Sequence, residues 1–341
     1  MSEFTRVAID TSKHVFTIYA VSTAGEVVRK ELRRERLLAF LAKLGPTEVV
    51  MEACGSSHYW GRELQALGHR VRLLPPQYVK PFVRRSKNDS NDAEAIWVAA
   101  GQPSIRNVPI KSLRQQADAM LLKVHEQLTG RRTAVVNALR GHAAELGFIA
   151  AKGERGLGEL RQSLAVAPDA EVPAAAKRAL TVLGRQIDQI ETQLVEVEAE
   201  LKRQFKADAD SKRLSAIPSI GMIIALTLTR TVDASQFNSG RHFAAWIGIV
   251  PREHSTGGKH RLGGISRAGN ERLRSLLVNG AMAVIRHFSP GRKGPLMAWL
   301  EALLKRKPRK VAAVALANKV ARIAWAMMTS GEAFRLLPRA G

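Results

Sequence analysis

Two short apolar runs, each closed by an acid, set the strongest limit on how this chain folds. Val7-Ala8-Ile9 ends at Asp10, and Val49-Val50-Met51 ends at Glu52. Runs this short, rich in β-branched residues, read as buried strands. Around them the pattern predicts strands over residues 5–9, 16–21, 26–32, 48–51 and 71–74, with helices over 36–44 and 57–67. Ala24-Gly25 marks a turn, and Pro75-Pro76 closes the last strand. Strands that alternate with helices after an opening meander predict an α/β sheet domain. Asp10 and Glu52 then stand at the ends of central strands. A carboxylate there is costly unless it is solvated, paired or metal-bound.

Farther on comes Lys87-Asn88-Asp89-Ser90-Asn91-Asp92-Ala93. A helix that starts at Asp89 or Ser90 puts Asp89 and Asp92 on one side of its first turn. Four carboxylates can then converge and hold Mg²⁺, which orients a phosphodiester and stabilises its leaving oxygen. Each acid alone also suits a plainer role. Asp10 fits a turn before Thr11-Ser12, Glu52 an ordinary acid near a helix start, and Asp89 or Asp92 an N-cap. Together, in this order on this topology, they read as a metal site. Glu94 reads as a solvated helix residue.

The chain carries 53 Lys and Arg against 30 Asp and Glu, a net charge of +23. Such an excess calls for a polyanionic partner, since Lys and Arg neutralise phosphates and release condensed counterions. Cys54 is the only cysteine, which excludes a disulfide framework and a Cys-rich zinc site. The first residues have no apolar signal region, and no uninterrupted apolar run reaches about 18 residues. We therefore expect a soluble cytoplasmic protein with no membrane segment.

The middle reads as helices. Residues 112–146 form a long basic helix, with Arg131, Arg132 and Arg140 as a positive face suited to a nucleic-acid backbone. Residues 153–173, rich in Gly, Ala and Pro, read as loops. Leu180, Leu183, Ile187, Ile190, Leu194, Val197 and Leu201 then step by three and four, as a coiled-coil seam requires. That seam can pair with the 112–146 helix of its own chain or with a second protomer.

The last third is mainly helical and strongly basic. Leu214 to Gly221 leads into an apolar helix over 222–228, as in a helix-hairpin-helix, although Ser219 stands where a glycine is usual. Residues 235–247, 270–286 and 310–328 read as further helices. Lys319 and Arg322 argue against a membrane span for the last one. Between them lies Pro251 to Asn270, with five glycines and few groups that could bury. Gly257, Gly258, Gly263 and Gly264 let a ligand approach the backbone. Lys259, Arg261 and Arg267 supply charge, and Ser255 and Thr256 place hydroxyls beside the first glycine pair. The Gly-x4-Gly-Lys-Ser/Thr spacing of a Walker loop is absent. Read alone, the stretch suits a flexible basic surface loop equally well. Residues 251–310 hold fourteen Lys and Arg against three Glu and no Asp. Phosphate contacts are therefore expected from Lys259, Arg261, Arg267, Arg272, Lys305, Arg306 and Lys307.

These motifs carry a family resemblance. Val7 to Lys13, Glu52-Ala53-Cys54-Gly55 and Lys87 to Ala93 resemble the RuvC-like, DEDD-type domain of the insertion-sequence "one-ten / eleven-eleven" transposases, relatives of the Piv invertase. Gly248 to Pro251 and Gly264 to Asn270 resemble that family's C-terminal transposase domain. The resemblance covers nearly the whole chain. It implies an RNase H-like fold over 1–108, a helical coiled-coil region over 109–207 that helps build a dimer, and a mainly helical transposase domain over 208–341. It implies a recombinase that acts on donor and target DNA under a structured guide RNA from its own element. It also implies a serine that attacks a DNA phosphate beside the Mg²⁺-binding carboxylates Asp10, Glu52, Asp89 and Asp92. Ser255 is the first choice for that serine, Thr256 the alternative because the family often has Ser directly before the glycine, and Ser266 a third. A RuvC-like nuclease that uses water, or a non-catalytic nucleic-acid binder, remains the competing reading.

Overall fold

The computed structural model describes residues 4–83, 89–257, 259, 261–291 and 294–334, with the backbone alone at 89 and 90. The chain divides into two compact units, Met1–Gln116 and Ala117–Gly341.

The first unit is built on a five-stranded sheet. Its elements are β1 (Phe4–Asp10), β2 (Val15–Ser22), β3 (Val27–Arg33), α1 (Leu37–Leu41), β4 (Glu48–Glu52), α2 (Ser57–Ala66), β5 (Arg70–Leu74), α3 (Pro76–Val79) and α4 (Asp89–Ala100). The strand order is β3-β2-β1-β4-β5. β1, β2 and β3 pair antiparallel, while β4 and β5 run parallel to β1. Strand side chains alternate faces. Val7, Ile9, Val49 and Met51 therefore fall on one side, where they pack with Trp60 and Leu64 of α2. Ala8 and Val50 fall on the other, against Ala93, Ile96 and Ala99 of α4.

The second unit is helical apart from one hairpin. It holds α5 (Leu113–Glu145), whose first turn lies in the first unit, then α6 (Glu154–Val166), α7 (Ala174–Ala207), α8 (Ala209–Ser215), α9 (Met222–Thr231) and α10 (Gly240–Ile247). The strands β6 (Pro251–Glu253) and β7 (Leu262–Ile265) follow, then α11 (Glu271–Arg286), α12 (Pro295–Leu304) and α13 (Arg309–Ser330). His125 meets Glu198 at 3.1 Å and Arg132 meets Glu191 at 2.8 Å. Numbers rise along α5 as they fall along α7, so the two helices run antiparallel. The heptad seam finds its partner within the chain: Leu180 and Ile187 bury with Leu139, and Leu201 buries with Leu122.

Two expectations change here. Residues 154–166 form a helix where loops were expected, because Leu157, Leu160 and Leu164 close the end of the α5–α7 pair. The cationic face of α5 is largely occupied. Arg132 pairs with Glu154 and Glu191, and Arg140 donates to the carbonyls of Ala150 and Ala151. Leu122 of α5, Leu201 of α7 and Leu226 of α9 share one buried cluster.

α13 is long and apolar enough to cross a membrane. Ala313, Leu316, Ala317, Val320 and Ala324 bury it in the core of the second unit, against Leu273, Leu277 and Ala281 of α11. Asp208 joins α7 to α8. Its carboxylate accepts from the Ser211 amide at 3.2 Å, as an N-cap, and lies 3.5 Å from Arg230. Burial pushes that carboxyl up, but the Ser211 hydroxyl and amide and the Arg230 charge outweigh it and hold it below the usual range. Asp208→Ala is expected to lower the unfolding free energy by about 1–2 kcal/mol, the usual cost of losing a good cap. A urea titration of the full chain measures it; an unchanged midpoint would show that the cap contributes nothing.

Candidate active site

The parallel register places Ile9 beside Met51, so Asp10 and Glu52 end neighbouring strands one step later, roughly 4.8 Å apart in strand spacing. Both continue the alternation of Ala8 and Val50 and face the side that α4 covers. On α4, Asp92 precedes Ile96 and Ala99 by four and seven residues, which is the stripe that packs on the sheet. Asp10, Glu52 and Asp92 thus line one pocket of about 350 Å³, with Pro76, Gln77, Val79, Lys80 and Val83. Asp89 opens α4 three residues before Asp92. Its side chain lies outside the described residues.

The two ends of β4 show what the pocket does to an acid. Glu48, at the start, takes hydrogen bonds from Arg6, Arg70 and Arg72. Burial pushes its carboxyl up, yet the guanidinium bonds win and hold it below the ordinary range. Glu52, at the other end, is raised, first by burial and then by the charges of Asp10 and Asp92. Glu48 is a structural acid whose charge is met. Glu52 belongs to a group of acids whose mutual repulsion invites a cation.

An all-carboxylate donor set fits a hard divalent cation in its chemistry. Among the described residues, no group of three acids, histidines or cysteines stands close enough to hold an ion as arranged. Lys80, on the rim of the same pocket, was missed by sequence reasoning; no spacing singled it out.

The hydroxyl-bearing stretch is a β-hairpin and not the loop that composition suggested. Pro251 pairs with Ile265 and Glu253 with Leu262. The His254 amide donates to the Arg261 carbonyl at 2.8 Å, and a Thr256–Lys259 bridge closes the turn. Ser255, between β6 and that bridge, is half-buried. Its hydroxyl donates to Glu253 Oε1 at 2.8 Å and accepts from the Arg261 amide at 3.4 Å. Thr256 is exposed at the turn. The Ser266 hydroxyl is buried, with no hydrogen-bond partner among the described residues.

The base of the hairpin is tightly held. The Ser266 amide donates to the Val250 carbonyl and the Arg267 amide to the Gly248 carbonyl. Arg274 reaches back from α11 to the carbonyls of Ile247 and Ala268. Arg267 takes a positive φ of 55°, unusual for a side-chain-bearing residue and typical of strained functional segments.

Lys259, Arg261, Arg267, Lys305, Arg306 and Lys307 are exposed. Arg272 is committed elsewhere: it meets Glu126 at 2.8 Å and the Leu122 carbonyl at 3.3 Å, which fastens α11 to α5. Glu253 was also missed. Its signal was that it is the one acid of residues 251–270, two positions before Ser255. The carboxylates stand on the first unit and the hydroxyls on the second.

Comparison with known proteins gives two family matches. A transposase model of the IS116/IS110/IS902 family matches residues 211–294, and a DEDD transposase model of the IS110 group matches residues 7–147. A putative transposase, y4pF/y4sB, of Sinorhizobium fredii is 44% identical over 98% of this chain and 87% of its own length. A probable family 20 transposase of Pseudomonas aeruginosa is 43% identical over 97% of this chain and 98% of its own. The transposase for insertion sequence element IS1111A of Coxiella burnetii is 37% identical over 98% of this chain and 92% of its own.

Proposed function

The chain belongs to the IS116/IS110/IS902 family of transposases, and from that premise we propose that it cuts and rejoins insertion-sequence DNA through a covalent phosphoserine bond at Ser255. The mixed sheet is RNase H-like in this reading. Asp10, Glu52, Asp89 and Asp92 hold Mg²⁺, in keeping with the divalent metal that DEDD transposases imply. That ion, when bound, orients a phosphodiester and stabilises its leaving oxygen. Lys259, Arg261 and Arg267 steady the DNA backbone beside the hydroxyl, and Lys305, Arg306 and Lys307 extend the cationic surface. A structured RNA from the same element guides the reaction, and two or more copies act together.

The observation that carries this reading is the convergence of Asp10, Glu52 and Asp92, from three separate elements, on one pocket that raises Glu52. Ser255 is preferred over Thr256 because its hydroxyl has a carboxylate beside it, at 2.8 Å. An attacking hydroxyl needs such activation at its free pKa.

The test is to incubate the purified chain, with RNA from its element, on DNA of that element and to quench in denaturant. A protein–DNA adduct is expected in the wild type and in Thr256→Ala, and none in Ser255→Ala. An adduct that survives Ser255→Ala and is lost in Thr256→Ala would move the bond to the neighbouring residue. Cleaved ends that never carry protein would point to hydrolysis by water instead.

A further inference from the structure

We propose that Glu253 is the general base that takes the proton of Ser255 as this hydroxyl attacks DNA, a step that rests on the phosphoserine reading above. Three observations carry it. The Ser255 hydroxyl donates its proton to Glu253 Oε1 at 2.8 Å, the distance a general base needs. The Arg261 amide points at the same hydroxyl oxygen from across the hairpin, at 3.4 Å. A donor on that side turns the hydroxyl proton toward the carboxylate. Glu253 is also the one acid in a basic stretch: residues 251–270 hold Arg252, Lys259, Arg261 and Arg267 and no other Asp or Glu. This acid ends the exposed strand β6, two residues before the hydroxyl that donates to it.

The step balances within named groups. The Ser255 Oγ–P bond forms as one P–O bond of the DNA strand breaks. The Ser255 proton passes to the Glu253 carboxylate. The departing sugar oxygen leaves with the P–O electron pair and takes a proton from water. In the rejoining step a sugar hydroxyl attacks the phosphoserine and gives its proton to solvent, the Ser255 Oγ–P bond breaks, and Glu253, now a carboxylic acid, returns its proton to Ser255 Oγ. One residue thereby serves as base in cleavage and acid in joining, as microscopic reversibility requires. The geometry explains why the hairpin is a ladder and not a loop. Backbone pairing on both sides of Ser255, the His254 amide on the Arg261 carbonyl and the Thr256–Lys259 bridge, keeps the hydroxyl beside the carboxylate of Glu253.

The test compares rates of adduct formation for the full chain on DNA of its own element. Glu253→Gln keeps a hydrogen-bond acceptor for Ser255 but cannot take its proton. It is expected to slow adduct formation by about 10²–10⁴-fold, the usual weight of general acid–base catalysis. Glu253→Ala is expected to be as slow, and added formate, a small carboxylate that fits the space left, is expected to restore part of its rate. Melting curves of both variants are expected to match the wild type, since Glu253 is exposed. If Glu253→Gln forms adduct at the wild-type rate while Ser255→Ala forms none, the proton role of Glu253 is wrong and the serine reading stands. If formate leaves a slow Glu253→Ala unchanged, Glu253 supports the hairpin and the proton role again fails. A wild type that cleaves without any adduct overturns the serine reading itself.

Discussion

Glu52→Gln is expected to abolish DNA cleavage while making the metal-free protein more stable. The two effects have one cause. Burial, then the negative charges of Asp10 and Asp92, raise the Glu52 carboxyl above its ordinary range. An acid raised on folding binds its proton more tightly in the native state. Its contribution to stability is complete below the unfolded value, about 4.3 for a glutamate, and is lost as pH rises through the folded value. At neutral pH the ionised side chain therefore works against the fold. Glutamine keeps the shape and removes the charge, so the metal-free variant should melt about 2–4 °C higher. The wild type's loss of melting temperature from mildly acidic to neutral pH should shrink in step. Added Mg²⁺ should raise the melting temperature of the wild type more than that of the variant. Cleavage should fall roughly 10³-fold or more, because a lost ligand forfeits several kcal/mol of transition-state stabilisation. Differential scanning at pH 5 and pH 7.5, beside a cleavage assay, checks all of it. A Glu52→Gln protein that melts lower and still cuts DNA would remove the acid cluster from the mechanism.

The same cluster shows how much of the molecule was legible in its sequence. Val7-Ala8-Ile9 and Val49-Val50-Met51 are buried on both faces of the sheet, so their apolar runs announced central strands and put Asp10 and Glu52 at adjacent ends. Asp92 was legible because a helix start at Asp89 puts both of these acids on one side of its first turn. The heptad run was equally plain, though nothing in it told that its partner would be α5 of the same chain. The hairpin was hidden for the opposite reason. Pro251, Arg252 and Glu253 are all exposed, and among the described residues β6 and β7 pair only with each other. Without a buried face there is no alternation to read. Helix α6 was hidden by its glycines. A side chain at Gly156 would meet the Ala151 carbonyl at 2.0 Å, so composition there reports close packing and not a loop. Lys80 lines the acid pocket from just past the end of α3, a position that no spacing in the sequence reveals.

Gly269→Ala is expected to cost the protein its activity without touching any group in the proposed chemistry. Gly269 has a φ of 75°, where an added side chain is strained by about 1–3 kcal/mol. Its missing Cβ would also lie 1.7 Å from the Trp246 carbonyl oxygen, which backbone atoms cannot yield cheaply. Gly248 opposes it with the same demand: a φ of 82° and a Cβ that would lie 2.1 Å from the Ala268 carbonyl oxygen. Together these contacts set the angle at which β6 leaves α10 and β7 enters α11. The helical core beneath, with Leu273, Leu277, Leu316 and Val320, does not depend on them. The variant should therefore keep its cooperative melting transition with a lowered midpoint. Its hairpin should become readily cut by protease, and adduct formation should fall as far as in Ser255→Ala. Gly130→Ala, on the exposed side of α5, is the matched control, because its added Cβ meets nothing within 4 Å and its φ is ordinary. It should behave as wild type in both assays. A Gly269→Ala protein with full activity would mean that the hairpin need not be fixed at its base for Ser255 and Glu253 to meet DNA.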